Sequence, residues 1–197
     1  MNIKKGIRGG RLAGAAILVF ASISCGDAQR DGHGSSYLIV TSLQGSSGAE
    51  DELGGELRSD VVTVVEDVPT TFNDNGQVAF ELAMKDPLLG PTSANFITID
   101  RYRVVYIRAD GRNTPGVDVP YPFDGAFTGT VAGPASFGFT LVRHQAKDEA
   151  PLRALAINGQ IVSTIAEVTF YGHDQTGRGA SVMAKISVHF GNFGDPE

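Results

Sequence analysis

The chain has 197 residues, with 16 basic and 22 acidic side chains and a formal net charge of −6 at pH 7. The four basic residues of the first 24 positions have no acidic counterpart there, so residues 25–197 carry a net charge of −10. This acidic balance argues against nucleic-acid binding, because phosphate recognition needs a basic footprint. The single cysteine excludes an intramolecular disulfide, so an apolar core must stabilise the fold.

The start of the chain has the order of an export signal. Its positive charges are Lys4, Lys5, Arg8 and Arg11. An apolar stretch from Leu12 to Ile23 follows, and it is too short to span a bilayer as a helix. Small residues then lead to Cys25, the only cysteine. A basic start, a short apolar stretch and a small-residue processing site predict a cleaved signal peptide over residues 1–24.

This arrangement resembles the signal peptide of bacterial lipoproteins, in which the cysteine becomes the diacylated first residue of the mature chain. The resemblance implies a lipid anchor at Cys25 and attachment to a membrane. It also implies the outer membrane or the cell surface, since Gly26 stands where an aspartate would favour retention in the inner membrane. Ser22 departs from the usual aliphatic residue three places before the cysteine. With Ser24 it also fits ordinary signal-peptidase cleavage, which would leave Cys25 a plain thiol.

The mature chain divides into a tether and one domain. Residues 25–36 comprise Cys25 and a polar, glycine-rich stretch without periodicity, which predicts a flexible tether. Residues 37–197 are long enough for one domain with its own core. The 25 glycines and nine prolines favour many tight turns over long helices.

Alternation of apolar and polar residues dominates the domain and predicts half-buried β-strands. The inward faces of the two clearest strands are predicted to be Val78, Phe80, Leu82 and Met84, and Val182, Ala184, Ile186, Val188 and Phe190. Further strands are predicted at Tyr37–Leu43, Val61–Val65, Ile97–Ala109, Phe127–Val131, Phe137–Val142 and Ile161–Tyr171. The apolar parity switches near Arg101, which indicates either a bulge or a strand that changes sheets.

These strands predict an all-β fold, an antiparallel immunoglobulin-like β-sandwich of about seven to eight strands with one short helix at Lys147–Ala156. Residues 172–177 are polar and predict a hairpin between the last two strands, and Asn73–Gly76 predicts a turn. The segment Ile161–Phe193 resembles the closing hairpin of bacterial immunoglobulin-like domains. A barrel is the alternative architecture, since alternation does not reveal whether a sheet closes.

The segment Arg108–Gly125 is the most unusual part of the domain, because long connections in compact domains are uncommon and often functional. Its candidate binding residues are Asp110, Asn113, Asp118, Tyr121, Phe123 and Asp124. The oxygen ligands among them suit calcium, although their spacing matches no EF-hand loop and such residues also form ordinary turns. The aromatic pair would suit a protein or a sugar, or would pack the loop onto the domain.

A group of basic side chains offers an anion-binding alternative to surface ion pairs. Its members are Arg101, Arg103, Arg108, Arg112, Arg143, His144, Lys147 and Arg153. No catalytic motif, cofactor motif or metal-ligand spacing is present, so the sequence predicts neither an enzyme nor a cofactor. It predicts a lipid-anchored envelope protein that acts as a binding or structural module with an envelope protein partner. The alternative is a calcium- or carbohydrate-binding module using the 108–125 loop.

Overall fold

The computed structural model describes residues 32–50 and 52–193, so Cys25 and the expected signal segment lie outside the described residues. The strands are β1 (Ser36–Ser46), β2 (Glu56–Asp60), β3 (Thr63–Val65), β4 (Val68–Thr70), β5 (Asp74–Met84), β6 (Ile97–Ile107), β7 (Phe123–Val131), β8 (Ala135–Val142), β9 (Val162–Asp174) and β10 (Gly179–Gly191). The helical segments are single turns at Ser93–Asn95, His144–Lys147, Leu152–Ala154 and Leu155–Asn158. The fold is therefore all-β, as predicted.

Two main sheets enclose the core. The smaller has the strand order β1-β5-β8 and is antiparallel throughout. The larger has the order β2-β10-β9-β6-β7 and curls into a half-barrel. Strands β3 and β4 form a separate small hairpin. Because β7 belongs to the larger sheet and β8 to the smaller one, the chain crosses between the two sheets after Val131.

Side chains from both sheets meet in one aromatic core. The ring of Phe80 on β5 meets Phe170 on β9 edge to face, with the ring centroids 5.1 Å apart. Tyr102 on β6 packs against Phe139 on β8 at 5.0 Å. Edge-to-face pairs of this kind stabilise a core beyond the burial of their area. The two sheets are therefore joined mainly by apolar contacts.

The clearest sequence patterns are confirmed. Val78, Phe80, Ile186, Val188 and Phe190 are buried, and Leu82 packs half-buried against them. The last two strands pair as the predicted antiparallel hairpin, from Gly179 opposite His173 to Phe190 opposite Val162. The pairing of β6 shifts register between Ile99 and Arg101, at the predicted bulge.

Two local expectations are wrong, and a third is confirmed only in part. The pairing is not antiparallel throughout, because β2 runs parallel to β10. The expected turn at Asn73–Gly76 is mostly strand, since β5 already begins at Asp74. The expected short helix at Lys147–Ala156 is present in part, as helical turns at Leu152–Ala154 and Leu155–Asn158, and a separate turn ends at Lys147. Gly159, with φ of 62°, then ends the helical region in the left-handed conformation that suits glycine.

The domain has two ends, which we call the N-terminal end and the far end. At the N-terminal end, Gly32 donates a backbone hydrogen bond to Gly179, and Ser36 lies opposite Met84. At the far end, the hydroxyl of Tyr106 near the end of β6 donates to the carbonyl of Leu141 near the end of β8. The chain thus enters the domain at one end, and the segment after Ile107 emerges at the other.

Candidate functional site

The predicted binding segment connects β6 to β7 at the far end and is held by its own hydrogen bonds. The side chain of Asn113 accepts from the backbone N–H of Arg108 at 2.7 Å, and that of Asp118 accepts from Thr114 at 3.2 Å. The side chain of Val119 is buried in the core at 2% exposure. The segment is therefore a folded loop fastened to the domain.

The carboxylates of this loop already have partners. Asp110 accepts from the guanidinium of Arg108 at 2.6 Å and from that of Arg112 at 2.8 Å. These two arginines hold the pKa of the Asp110 carboxyl well below its usual range. Asp124 pairs with Arg103 at 2.8 Å. Within residues 32–50 and 52–193, no group of three or more His, Cys, Asp or Glu side chains could hold a metal ion.

The two candidate aromatic residues do not form a common surface. Tyr121 is about half-exposed and lies over Gly116, where an added Cβ would fall 2.3 Å from the tyrosine hydroxyl. Phe123 is the first residue of β7 and is only 6% exposed. Tyr121 therefore remains available to a partner, whereas Phe123 belongs to the core.

A pocket beside this loop joins two of the predicted residues to the basic group. Its volume is about 250 Å³, and it is lined by Asn73, Tyr102, Phe123, Asp124, Gly125, Thr140, Arg143, His144 and Gln145. Arg143 follows β8 directly, and its guanidinium carbon lies 4.5 Å from the centroid of the Phe123 ring. Such stacking holds a guanidinium in place while leaving its N–H groups free to bind an anion.

Within residues 32–50 and 52–193, Arg143 has no ion-pair partner, whereas Asp124 of the same pocket pairs with Arg103. Its Nε is buried and has no hydrogen-bond partner among the described residues. Other polar groups of the pocket are engaged: Asp124 by Arg103, and the Asn73 side-chain oxygen by the backbone N–H of His144 at 2.7 Å. A stacked guanidinium without an ion-pair partner among the described residues suits a ligand that brings an oxyanion to its terminal N–H groups. We call it the Arg143 pocket.

Behind the pocket lies a buried ion pair that the sequence did not predict. Lys147 donates to Asp74 at 2.7 Å, and their side chains are 1% and 0% exposed. Asp74 also accepts from Ser59 at 2.6 Å and from the backbone of Gly48 at 3.0 Å. Burial raises the pKa of Asp74, and the neighbouring ammonium opposes this effect. The cluster joins three distant parts of the chain to Asp74 at the far end. Because it is closed to solvent, it offers no access to a substrate.

A second pocket, of about 270 Å³, lies at the N-terminal end between β6, β9 and β10. There His173 lies 3.3 Å from Asp100, and Arg101 stacks on Tyr171 at 4.3 Å. The side chains of His173 and Asp100 are both 47% exposed, so solvent screens their interaction. This pocket therefore lacks the shielded charge that distinguishes the Arg143 pocket.

In the part of the chain that the structure describes, no helix is long and apolar enough to cross a membrane. Of the residues singled out from the sequence, the Arg143 pocket brings together Phe123, Asp124, Arg143 and His144. Asp110, Asn113 and Asp118 instead maintain the shape of the adjacent loop. No family model, no curated protein and no solved structure matches this chain.

Proposed function

We propose that this protein is a bacterial lipoprotein, exported and anchored through a lipid on Cys25, whose domain acts as a binding module of the cell envelope. The signal-like order of residues 1–24 and the position of the single cysteine support the anchor. Gly26 after the cysteine favours the outer membrane or the cell surface. The acidic charge of residues 25–197 favours a partner other than nucleic acid.

The proposal that the domain is a binding module is supported by the positions of its entry point and its pocket at opposite ends. The chain enters beside Gly32, whereas the folded 108–122 loop and the Arg143 pocket lie at the opposite end. An anchor before Gly32 would therefore leave the pocket facing away from the membrane. Loops presented by a rigid β-framework are common binding surfaces.

We further propose an immunoglobulin-like β-sandwich as the architecture. Support comes from the two sheets that share one aromatic core and from the β9–β10 hairpin that ends the described chain. The parallel β2–β10 pair and the curl of the larger sheet would be departures from the simplest form of that fold.

The partner class follows from the chemistry of the Arg143 pocket. A guanidinium stacked on Phe123, without an ion-pair partner among the described residues, suits a carboxylate on an envelope protein. Tyr121, 52% exposed on the neighbouring loop, would supply an aromatic contact at the rim. The domain would thus bind an acidic segment of a protein partner at its far end.

In-cell cross-linking tests this function. A photo-reactive amino acid replaces Tyr121, and the cross-linked proteins are compared among the otherwise unchanged chain, Arg143→Gln and Arg153→Gln. Arg153 is an exposed arginine outside the pocket and serves as the matched control. We expect a defined adduct that Arg143→Gln removes and Arg153→Gln retains. An adduct of equal yield in both variants would show that the pocket does not bind the partner.

A further inference from the structure

Two adjacent leucines project from a short turn between β5 and β6. Leu88 is 91% exposed and Leu89 is 58% exposed. The turn is held by Asp86, whose side chain accepts from the backbone N–H of Leu88 at 3.0 Å and whose carbonyl accepts from that of Leu89 at 3.1 Å. Pro87 and Pro91 restrict its backbone further. The leucines are thus held in solvent by a defined conformation, an arrangement that disfavours the isolated domain in water.

This turn, which we call the leucine turn (residues 86–91), lies where the chain enters the domain. The backbone N–H of Lys85 donates to the carbonyl of Ser35 at 2.9 Å, and its ammonium donates to the carbonyl of Gly32 at 2.5 Å. Leu88 follows three residues later. The exposed leucines are therefore fastened beside the first described residues.

The length of the preceding chain limits how far a membrane anchor could lie from this turn. Cys25 precedes Gly32 by seven residues, which span at most about 25 Å when fully extended. If Cys25 carries the lipid, the surface of the bilayer lies within that distance of the N-terminal end. The leucine turn is then an apolar projection close to the point where the tether joins the domain.

We propose that Leu88 and Leu89 insert into the membrane interface as a second attachment point beside the lipid. This inference rests on the proposed lipidation of Cys25. The occupant is a lipid surface because leucine side chains transfer favourably from water into the acyl region. Two attachments at one end fix the orientation of the domain, so that the Arg143 pocket faces outward.

Tryptophan fluorescence gives a direct test, since the chain contains no tryptophan. In the lipidated full chain reconstituted in vesicles, Leu88→Trp places one reporter in the turn. Val117→Trp, at a position that is 67% exposed in the far-end loop, is the matched control. With brominated acyl chains in the vesicles, we expect blue-shifted and quenched emission from the tryptophan at position 88 and unchanged emission from the one at position 117.

The outcomes separate this inference from the proposed anchor. If the Leu88→Trp protein floats with the vesicles but its emission resembles that of tryptophan in water, the inference is wrong and the anchor stands. If the wild-type protein does not float, both are wrong. Equal quenching at both positions would also contradict the proposed orientation.

A kinetic measurement provides a second readout. The double variant Leu88→Ser/Leu89→Ser should transfer between vesicles severalfold faster than the wild-type lipoprotein, because one of two attachments is lost. Ile157→Ser, at a position that is 92% exposed near the far end, should leave the transfer rate unchanged. An unchanged rate in the double variant would overturn the proposal.

Discussion

The far end and the N-terminal end of the domain each contain a buried carboxylate, Asp74 and Asp174 respectively, and the two carboxylates differ in the range of their contacts. At the far end, Lys147 and Asp74 are 73 positions apart in sequence and form an ion pair sealed from solvent. At the N-terminal end, the carboxylate of Asp174 accepts from residues 176 and 178 of its own hairpin. Breaking the first contact separates distant elements, whereas breaking the second loosens one turn. The buried carboxylate at the end that carries the Arg143 pocket thus joins distant elements, whereas the one at the N-terminal end holds a single turn.

The largest effect is expected from Lys147→Met. This change leaves Asp74 buried without its cation, so the free energy of unfolding should fall by about 3–5 kcal/mol in urea denaturation. The double variant Asp74→Asn/Lys147→Met removes both charges and should recover part of that loss. If Lys147→Met alone unfolds at the wild-type urea concentration, the buried pair does not hold the far end.

A smaller effect is expected from Asp174→Ala at the other end. It removes an acceptor for the Thr176 backbone at 2.8 Å, for the Thr176 hydroxyl at 2.6 Å and for the Arg178 backbone at 3.0 Å. We expect a loss of about 1–3 kcal/mol, because donors of the turn lose their partner. Faster amide exchange confined to residues 175–178 would show that the damage is local; faster exchange throughout the domain would contradict the comparison.

The same carboxyl gives the N-terminal end a pH dependence. Burial alone would raise the pKa of Asp174, but the hydrogen bonds from Thr176 and Arg178 outweigh it and lower that pKa. The stabilisation is therefore present above the ordinary carboxyl pKa of about 3.9 and is lost as the pH falls below it. In Asp174→Asn this acid-sensitive part should disappear from the pH profile of the melting temperature. A profile identical to that of the wild type would rule out this carboxyl as its source.

The smallest effect is expected from Asp110→Ala. Its ion pairs with Arg108 and Arg112 lie in solvent, where screening and side-chain entropy offset the attraction. The melting temperature should match that of the wild type within replicate error. A clear decrease in the melting temperature would show that this exposed cluster holds the loop in place. It would contradict the expectation that exposed ion pairs contribute much less than the buried pair of Lys147.

The sequence predicted the fold best where one face of a strand is continuously apolar. The alternation over Val78 and Phe80 correctly predicted that their side chains lie in the core. The same alternation extends back to Asp74, but the turn-like composition of Asn73–Gly76 hid this start of the strand. Strand β2 has only one apolar residue, Leu57, and it exists because its backbone pairs with β10. A contact of that kind leaves no periodic signal in the sequence.

The candidate site could be predicted only in part, because its essential contacts are non-local. The sequence identified the loop and the basic group, yet the stacking on Phe123 joins the first residue of β7 to Arg143, which follows the end of β8 in the other sheet. Asp110 was expected among possible metal ligands and instead binds the arginines on either side of it. Which of several nearby charges remains unpaired depends on packing, and composition does not encode it.

Membrane partitioning of Cys25→Ala tests the central claim most directly. Wild-type protein and the variant are expressed in a bacterial host, and each is separated into membrane and soluble fractions and then by detergent phase partitioning. Because stable anchoring needs more than one acyl chain or a second signal, loss of the lipidated cysteine should release the domain despite its two exposed leucines. We expect the wild type in the membrane and detergent-rich fractions and the variant in the aqueous ones. Equal partitioning of the two proteins would contradict a lipid anchor at Cys25.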